Sequence, residues 1–291
     1  MSRIEESELI INPDGSVFHL HIKPGELAKN IILVGDPGRV ETVASFFDKT
    51  DYHSTNREFV SRTGTYKGTP VTVLSTGIGT DNIDIVLNEL DALVNIDFES
   101  RTIKEEGTSL NIVRIGTSGS LQKDLPVDSW LLSHKAIGFD GLLNFYDGCE
   151  GICNLGFEKK LMEETGWSER LTKPYVVEAS DKLFNLLDAP NVYKGVTISA
   201  PGFYGPQGRV LRLPLKDAQI NDKLSAFRYE DERITNYEME CSAIYGLSKL
   251  MGHHAATVCA IIANRKAGAY SKDYKPVIKS LIQYVLDRLA H

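Results

Sequence analysis

One stretch constrains the fold more than any other: Asn111–Gly119, reading Asn-Ile-Val-Arg-Ile-Gly-Thr-Ser-Gly. Ile112, Val113 and Ile115 are apolar and β-branched, which predicts a buried strand. Arg114 stands in the middle of it, and a guanidinium cannot stay unpaired in a low-dielectric interior. Gly116, Thr117, Ser118 and Gly119 follow directly. The glycines permit a tight turn and close approach of backbone N–H groups to a ligand, and the hydroxyls can donate to an oxyanion. An arginine fork beside such a turn suits a phosphate or a carboxylate. The same segment also reads as a strand whose arginine pairs with a structural carboxylate.

Around it, strands and helices alternate. Asn30–Val34 is an apolar strand that ends in Gly35-Asp36-Pro37-Gly38-Arg39, and helical spacing follows over Val40–Phe47. A strand, turn and helix in this order aim free backbone N–H groups at whatever lies above the turn. The turn has neither the GxxxxGK[ST] spacing nor the GxGxxG spacing of nucleotide-binding loops. Val60–Tyr66 and Val71–Ser75 read as strands joined by a Lys-Gly-Thr-Pro turn, followed by a glycine-rich turn (Thr76-Gly77-Ile78-Gly79) and a helix over Ile83–Val94. Further strands are predicted at Trp130–Ile137, Lys173–Ala179, Val192–Ala200 and Ala255–Ile262, with helices at Asp181–Leu187, Ser242–Met251 and Pro276–Leu289. Residues 16–22 alternate in polarity, 97–108 read as a surface connection, and 138–156 as a loop near a pocket or an interface. This alternation predicts one α/β domain over residues 1–291, a three-layer α/β/α sandwich with a central mixed sheet.

Bulk properties exclude several classes. A net charge of −7 leaves no basic excess for general nucleic-acid binding. No apolar run approaches the roughly 18 residues that span a bilayer, and the acidic start, Met1-Ser-Arg-Ile-Glu-Glu, is no secretory leader. Cys149, Cys153, Cys241 and Cys259 form no CxxC pair and have no histidines at zinc-like spacing, so a reducing, cytoplasmic setting without a metal site is expected.

Two more segments carry chemistry. Phe203-Tyr204-Gly205-Pro206-Gln207-Gly208-Arg209 combines aromatic faces, which can cover a planar heterocycle, with an amide and a guanidinium that can bond its edges. In Asn236-Tyr237-Glu238-Met239-Glu240, two carboxylates at i and i+2 share a side if the chain is extended. They could bind vicinal hydroxyls, or form the acidic first turn of a helix.

Taken in order, the GDPxR motif at Gly35–Arg39, Arg57-Glu58-Phe59, Ser75–Gly79, Arg114–Gly119, Phe203–Arg209 and Asn236–Cys241 resemble the nucleoside phosphorylase family, especially its members that act on uridine. The resemblance runs from Phe18-His19-Leu20 to Asn264-Arg265. It implies phosphorolysis: a nucleoside and inorganic phosphate give a free base and ribose 1-phosphate, with phosphate as co-substrate and no cofactor. By the same resemblance Gly35, Arg39, Arg114 and Thr117 hold phosphate, with Arg57 arriving from a neighbouring subunit. Glu238, Met239 and Glu240 hold ribose, with His19 reaching across a dimer interface. Phe203, Gln207 and Arg209 hold the base. Arg114, Gln207 and Arg209 carry the catalysis, and the last two stabilise the departing base anion. A homo-oligomer with shared sites, dimer or hexamer, is expected, and a structural cation near Glu58 and Ser75 is conceivable.

The resemblance also bears on the base. Purine-acting relatives place an acid such as Asp near the end of the last strand, where this chain has Asn264-Arg265, and Arg209 faces it. Both favour a pyrimidine. Competing readings are a purine nucleoside phosphorylase, a nucleosidase using water, for which three arginines are superfluous, and a non-catalytic nucleoside-binding protein. A Rossmann dehydrogenase fails for want of the glycine fingerprint and its ribose-binding acid. Cys241, where the family commonly has serine, is a departure.

Overall fold

The computed structural model describes residues 3–291. The first half carries β1 (Asn30–Val34), α1 (Pro37–Ala44), β2 (Lys49–Asn56), β3 (Phe59–Tyr66), β4 (Thr69–Ser75), α2 (Thr80–Asn95) and a small hairpin of β5 (Ile96–Asp97) and β6 (Thr102–Ile103). The second half adds β7 (Asn111–Ser120), β8 (Trp130–Gly138), α3 (Leu155–Thr165), β9 (Tyr175–Glu178), α4 (Asp181–Leu187) and β10 (Val192–Ser199). After these come α5 (Ile220–Ala226), β11 (Arg228–Tyr229), β12 (Glu232–Glu238), α6 (Cys241–Leu250), β13 (His254–Asn264), β14 (Ala269–Tyr270) and α7 (Lys275–Leu289).

A mixed sheet runs in the order β11-β12-β10-β8-β13-β7-β1-β4-β3-β2, with β9 on β8 and β14 on β13. The arginine-bearing β7 lies between β1 and β13, parallel to both. Strand β12 also pairs antiparallel with β7, Asn236 opposite Ser120 and Tyr237 opposite Gly119. That extra pairing curls the sheet, so β7, β13, β8, β10 and β12 close into a ring.

Alternation along the strands builds the three layers. In β1, Ile31 and Leu33 join the apolar cluster under α2 and α6, while Ile32 and Val34 join the one under α1, α4 and α7. In β7, Ile112 faces the first cluster and Val113 and Ile115 the second, which puts Arg114 on the α2–α6 side. A third cluster, around Phe157, Phe227 and Tyr237, seats α3 and α5. Each large apolar side chain withdrawn from water contributes about 1.5–3 kcal/mol, so both faces of the sheet are firmly held.

Differences from the sequence reading have local causes. Residues 16–22 form turns with a single bridge, Ile11 to Val17, because the Glu89 carboxylate takes the N–H groups of His19 and Leu20 and His21 is left-handed at φ 50°. Strand β2 escapes pattern reading because it is a polar edge strand with only Ser54 buried. The surface connection at 97–108 contains part of the β5–β6 hairpin. Among the described residues, no helix is long and apolar enough to cross a membrane.

Candidate active site

A cleft of about 590 Å³ gathers Gly35 and Asp36 from the β1–α1 turn, Arg39 from the first turn of α1, Gly77 and Ile78 from the turn into α2, and Arg114, Thr117, Ser118 and Gly119 from β7. Phe203, Gln207 and Arg209 enter from the loop after β10. The end of β12 gives Tyr237, Glu238, Met239 and Glu240, and Ile262, Ala263 and Tyr270 close the far wall. Strand ends are where an α/β sheet leaves its backbone and following helix N-termini open to a ligand.

At the inner end Arg114 is 5 % exposed. Its Nη2 donates to Glu240 Oε2, and its Nε lies 3.4 Å from Glu238 Oε2. Burial works against its charge, but Glu240 and then Glu238 outweigh burial and raise its pKa. Nη1 is buried yet meets no protein acceptor, so one prong of the fork remains available to a ligand. Arg39 donates to the Ile115 carbonyl at 3.2 Å. Burial, and after it the nearby charge of Arg114, lowers its pKa. Two guanidiniums held this close suit a multiply charged anion. Gly116 lets the strand pass under them, since a Cβ there would lie 2.9 Å from Cys259 Sγ.

The two glutamates divide the work that their spacing seemed to share. Glu238 is a helix cap: its Oε1 accepts from Ser199 Oγ at 2.5 Å, and its carboxylate accepts the backbone N–H groups of Glu240 and Cys241 at 2.9 Å. Glu240 Oε1 accepts from the Gly79 N–H at 2.8 Å, so the start of α2 and Arg114 hold it from opposite sides. Burial, and secondarily the charge of Glu240, push the Glu238 pKa upward.

The outer end is built differently. Gln207 is 3 % exposed, and its Oε1 accepts from Arg209 Nη1 at 2.5 Å and from Arg265 Nη2 at 2.9 Å. With the oxygen doubly engaged, the amide Nε2 is the end left to donate. Arg209 stacks on Phe203, 3.7 Å from the ring centroid, and Arg265 lies 4.9 Å from the Tyr237 centroid. Burial, with the Arg209 charge second, lowers the Arg265 pKa to about 10. Among the described residues, neither arginine has a carboxylate partner within salt-bridge distance.

His19 and Arg57 do not line the cleft of their own chain. The His19 ring Nδ1 lies 2.6 Å from Glu89 Oε1, and Arg57 is exposed at φ 53° in the β2–β3 turn. Ser75 Oγ donates to the Glu58 carbonyl at 2.5 Å, so those two residues are neighbours. No cluster of three or more metal-ligating side chains occurs among the described residues. Asn264 and Arg265, adjacent at the end of β13, have separate tasks: Asn264 donates to the carbonyls of Gln122 and Leu125, while Arg265 joins Gln207. The turn expected at Gly116–Gly119 is instead continuous strand, because β7 stays paired with β13 as far as Ser120; Ser118 on that strand lines the cleft with its Oγ buried and unpartnered.

The fold and this cleft define an α/β enzyme scaffold whose cleft holds an ion-paired arginine at one end and two arginines against aromatic rings at the other. The chain belongs to the phosphorylase superfamily, whose family model matches residues 29–285. A uridine phosphorylase of Thermococcus kodakarensis is 28% identical over 89% of this chain and 81% of its own. A guanosine phosphorylase of Halorubrum lacusprofundi is 26% identical over 89% of each chain. A solved nucleoside phosphorylase of Trypanosoma brucei, described as showing uridine phosphorylase activity, superposes with a TM-score of 0.87. It is 31% identical over 97% of this chain and 99% of its own.

Proposed function

We propose that the protein is a pyrimidine nucleoside phosphorylase that converts uridine and phosphate to uracil and ribose 1-phosphate. The observation that carries this reading is the charge arrangement at the two ends of one cleft. Arg114, with its unpartnered Nη1, and Arg39 meet the phosphate; Gln207, Arg209 and Arg265 meet the base without a neutralising carboxylate. Gly35 and the hydroxyl of Thr117 complete the phosphate cradle, Glu240 takes ribose hydroxyls, and Met239 packs the sugar's apolar face. Glu238 acts mainly through Arg114 and the α6 cap.

In the reaction, cleavage of the glycosidic bond leaves the ribose cation-like and puts negative charge on the departing base. The bound phosphate stabilises that cation and attacks the anomeric carbon. Donors preorganised around the base stabilise the leaving anion as it forms, where such donors contribute most. The two guanidiniums at the base end favour an anion leaving without prior protonation, which suits uracil better than a purine ring that gains a proton. His19 and Arg57 complete a neighbouring copy's site, so the working unit is at least a dimer.

Release of free base from uridine, thymidine and inosine, each with and without inorganic phosphate, tests the reading. Uracil released from uridine only with phosphate is the expected result. Hypoxanthine from inosine as the main product would move the protein to the purine branch represented among its relatives. Base release without phosphate would mean hydrolysis, and a fully active monomer in light scattering would remove the shared-site proposal.

A further inference from the structure

We infer that Asn221, at the start of α5 and outside the cleft lining, is a positioning residue that sets the base-reading loop; this rests on the base-contacting role proposed above for Gln207. Its side-chain Nδ2 donates to the carbonyls of Gln207 and Gly208, both at 3.3 Å, and its Oδ1 accepts from the Tyr237 phenol O–H at 3.1 Å. One half-buried amide therefore ties together the loop after β10, the end of β12 and α5.

The loop conformation and the amide require each other. Gly205–Gln207 is a single 3-10 turn closed by Gly208 in the left-handed region, φ 69°. The space above the Gly208 Cα is taken by the Asn221 amide, with which a Cβ would collide. Arg265 Nη1 donates to the same Gln207 carbonyl that Asn221 bonds, while its Nη2 holds the side-chain oxygen. Gln207 is thus fixed at its backbone by Asn221 and Arg265 and at its side chain by Arg265 and Arg209. Without the Asn221 contacts, the Gln207 carbonyl keeps only Arg265 and the Gly208 carbonyl loses its side-chain donor, so the base-facing amide loses a fixed distance to the ligand. Displacements of about 1 Å in a positioning element can cost a hundredfold in rate. Two modest hydrogen bonds give a smaller expectation, on the order of tenfold.

The experiment compares Asn221→Ala, Asn221→Asp and Gln207→Ala with the native enzyme, measuring kcat and KM for uridine and, separately, KM for phosphate. Asn221→Asp keeps volume and the acceptor for Tyr237 but removes the donor to the two carbonyls. The expected result is about a tenfold lower kcat/KM for uridine in both Asn221 variants, with KM for phosphate unchanged because the arginine end is untouched. A merely structural role would lower the amount of folded enzyme without moving the uridine KM away from the phosphate KM. Native uridine parameters in both Asn221 variants, alongside a large loss in Gln207→Ala, would overturn the positioning role and leave the base reading intact. Native parameters in Gln207→Ala would overturn the base reading and this inference with it.

Discussion

The two ends of the cleft handle positive charge in opposite ways. At the inner end, Arg114 sits on a strand in the sheet's centre and is compensated by Glu240 and Glu238, which the starts of α2 and α6 hold in turn. At the outer end, Arg209 and Arg265 share one neutral amide oxygen and lean on the aromatic rings of Phe203 and Tyr237. The Arg114 cluster resists rearrangement, because the arginine lies within β7 and its two carboxylates are tied to the starts of α2 and α6. On the proposed function, the uncompensated end keeps an attraction for negative charge that develops only as the base departs, which is where catalysis gains most. The contrast implies that damage to the inner end costs both fold and activity, whereas damage to the outer end costs activity alone.

The largest effect tests the inner end. Arg114→Ala strands Glu238 and Glu240 without their cation, and breaking a buried ion pair from one side destabilises by about 3–5 kcal/mol. Activity at saturating uridine should fall by at least about a thousandfold, since the substitution also removes a charge-bearing donor to phosphate. Thermal unfolding and a phosphorolysis assay read the two losses. Phosphate-dependent turnover near the native rate would show that the anion site lies elsewhere. At the outer end, Arg209→Ala should cut kcat/KM for uridine by about a hundredfold. Its stability loss should stay below about 1 kcal/mol, as the side chain is only partly buried and has no carboxylate to orphan. A large drop in melting temperature would erase the distinction between the two ends.

The third test uses pH. Burial and the neighbouring Glu240 raise the Glu238 pKa above its ordinary 4.5. A carboxyl so raised favours folding while it is protonated in the native state. Its contribution is fully present below the unfolded pKa and is lost as pH rises through the raised native value. Glu238→Gln retains the shape and removes the titration. Between about pH 5 and about pH 8, the native enzyme should lose more thermal stability with rising pH than the variant. Parallel profiles would mean that Arg114 and the α6 N–H groups hold Glu238 ionised throughout.

How much of this was legible beforehand depends on how local each signal is. Arg114 stood out because a charge inside an apolar β-branched run has few explanations, and the helices at Asp181–Leu187 and Pro276–Leu289 follow from periodicity. The different tasks of Glu238 and Glu240 were hidden. Their i, i+2 spacing implies a shared side only while the chain stays extended, and the strand ends at Glu238. Arg265 reaches Gln207 from the end of β13, which the ring closed by β12 against β7 places beside β12, whereas Asn221 is near its partners in sequence but carries no pattern that marks it. Periodicity cannot encode that closure, because it rests on register between strands more than a hundred residues apart.

The smallest predicted effect separates binding from folding most sharply. Ser118 Oγ is buried in the cleft wall without a hydrogen-bond partner, an arrangement that costs stability unless a ligand supplies the partner. Ser118→Ala removes the unsatisfied hydroxyl and leaves the methylene packing in place, so the free protein should be as stable as before or slightly more so. The complex should instead lose one hydrogen bond, lowering kcat/KM for uridine by about three- to tenfold. The melting temperature should therefore shift in opposite directions relative to native without and with saturating nucleoside and phosphate, since ligand adds less to the variant. Ser118 stands on the strand that also carries Arg114, between the ion-paired end and the guanidinium-rich end. A variant that loses stability without ligand and keeps native kinetics would make Ser118 part of the rigid inner framework, and the boundary between the two ends would move outward to Gly119.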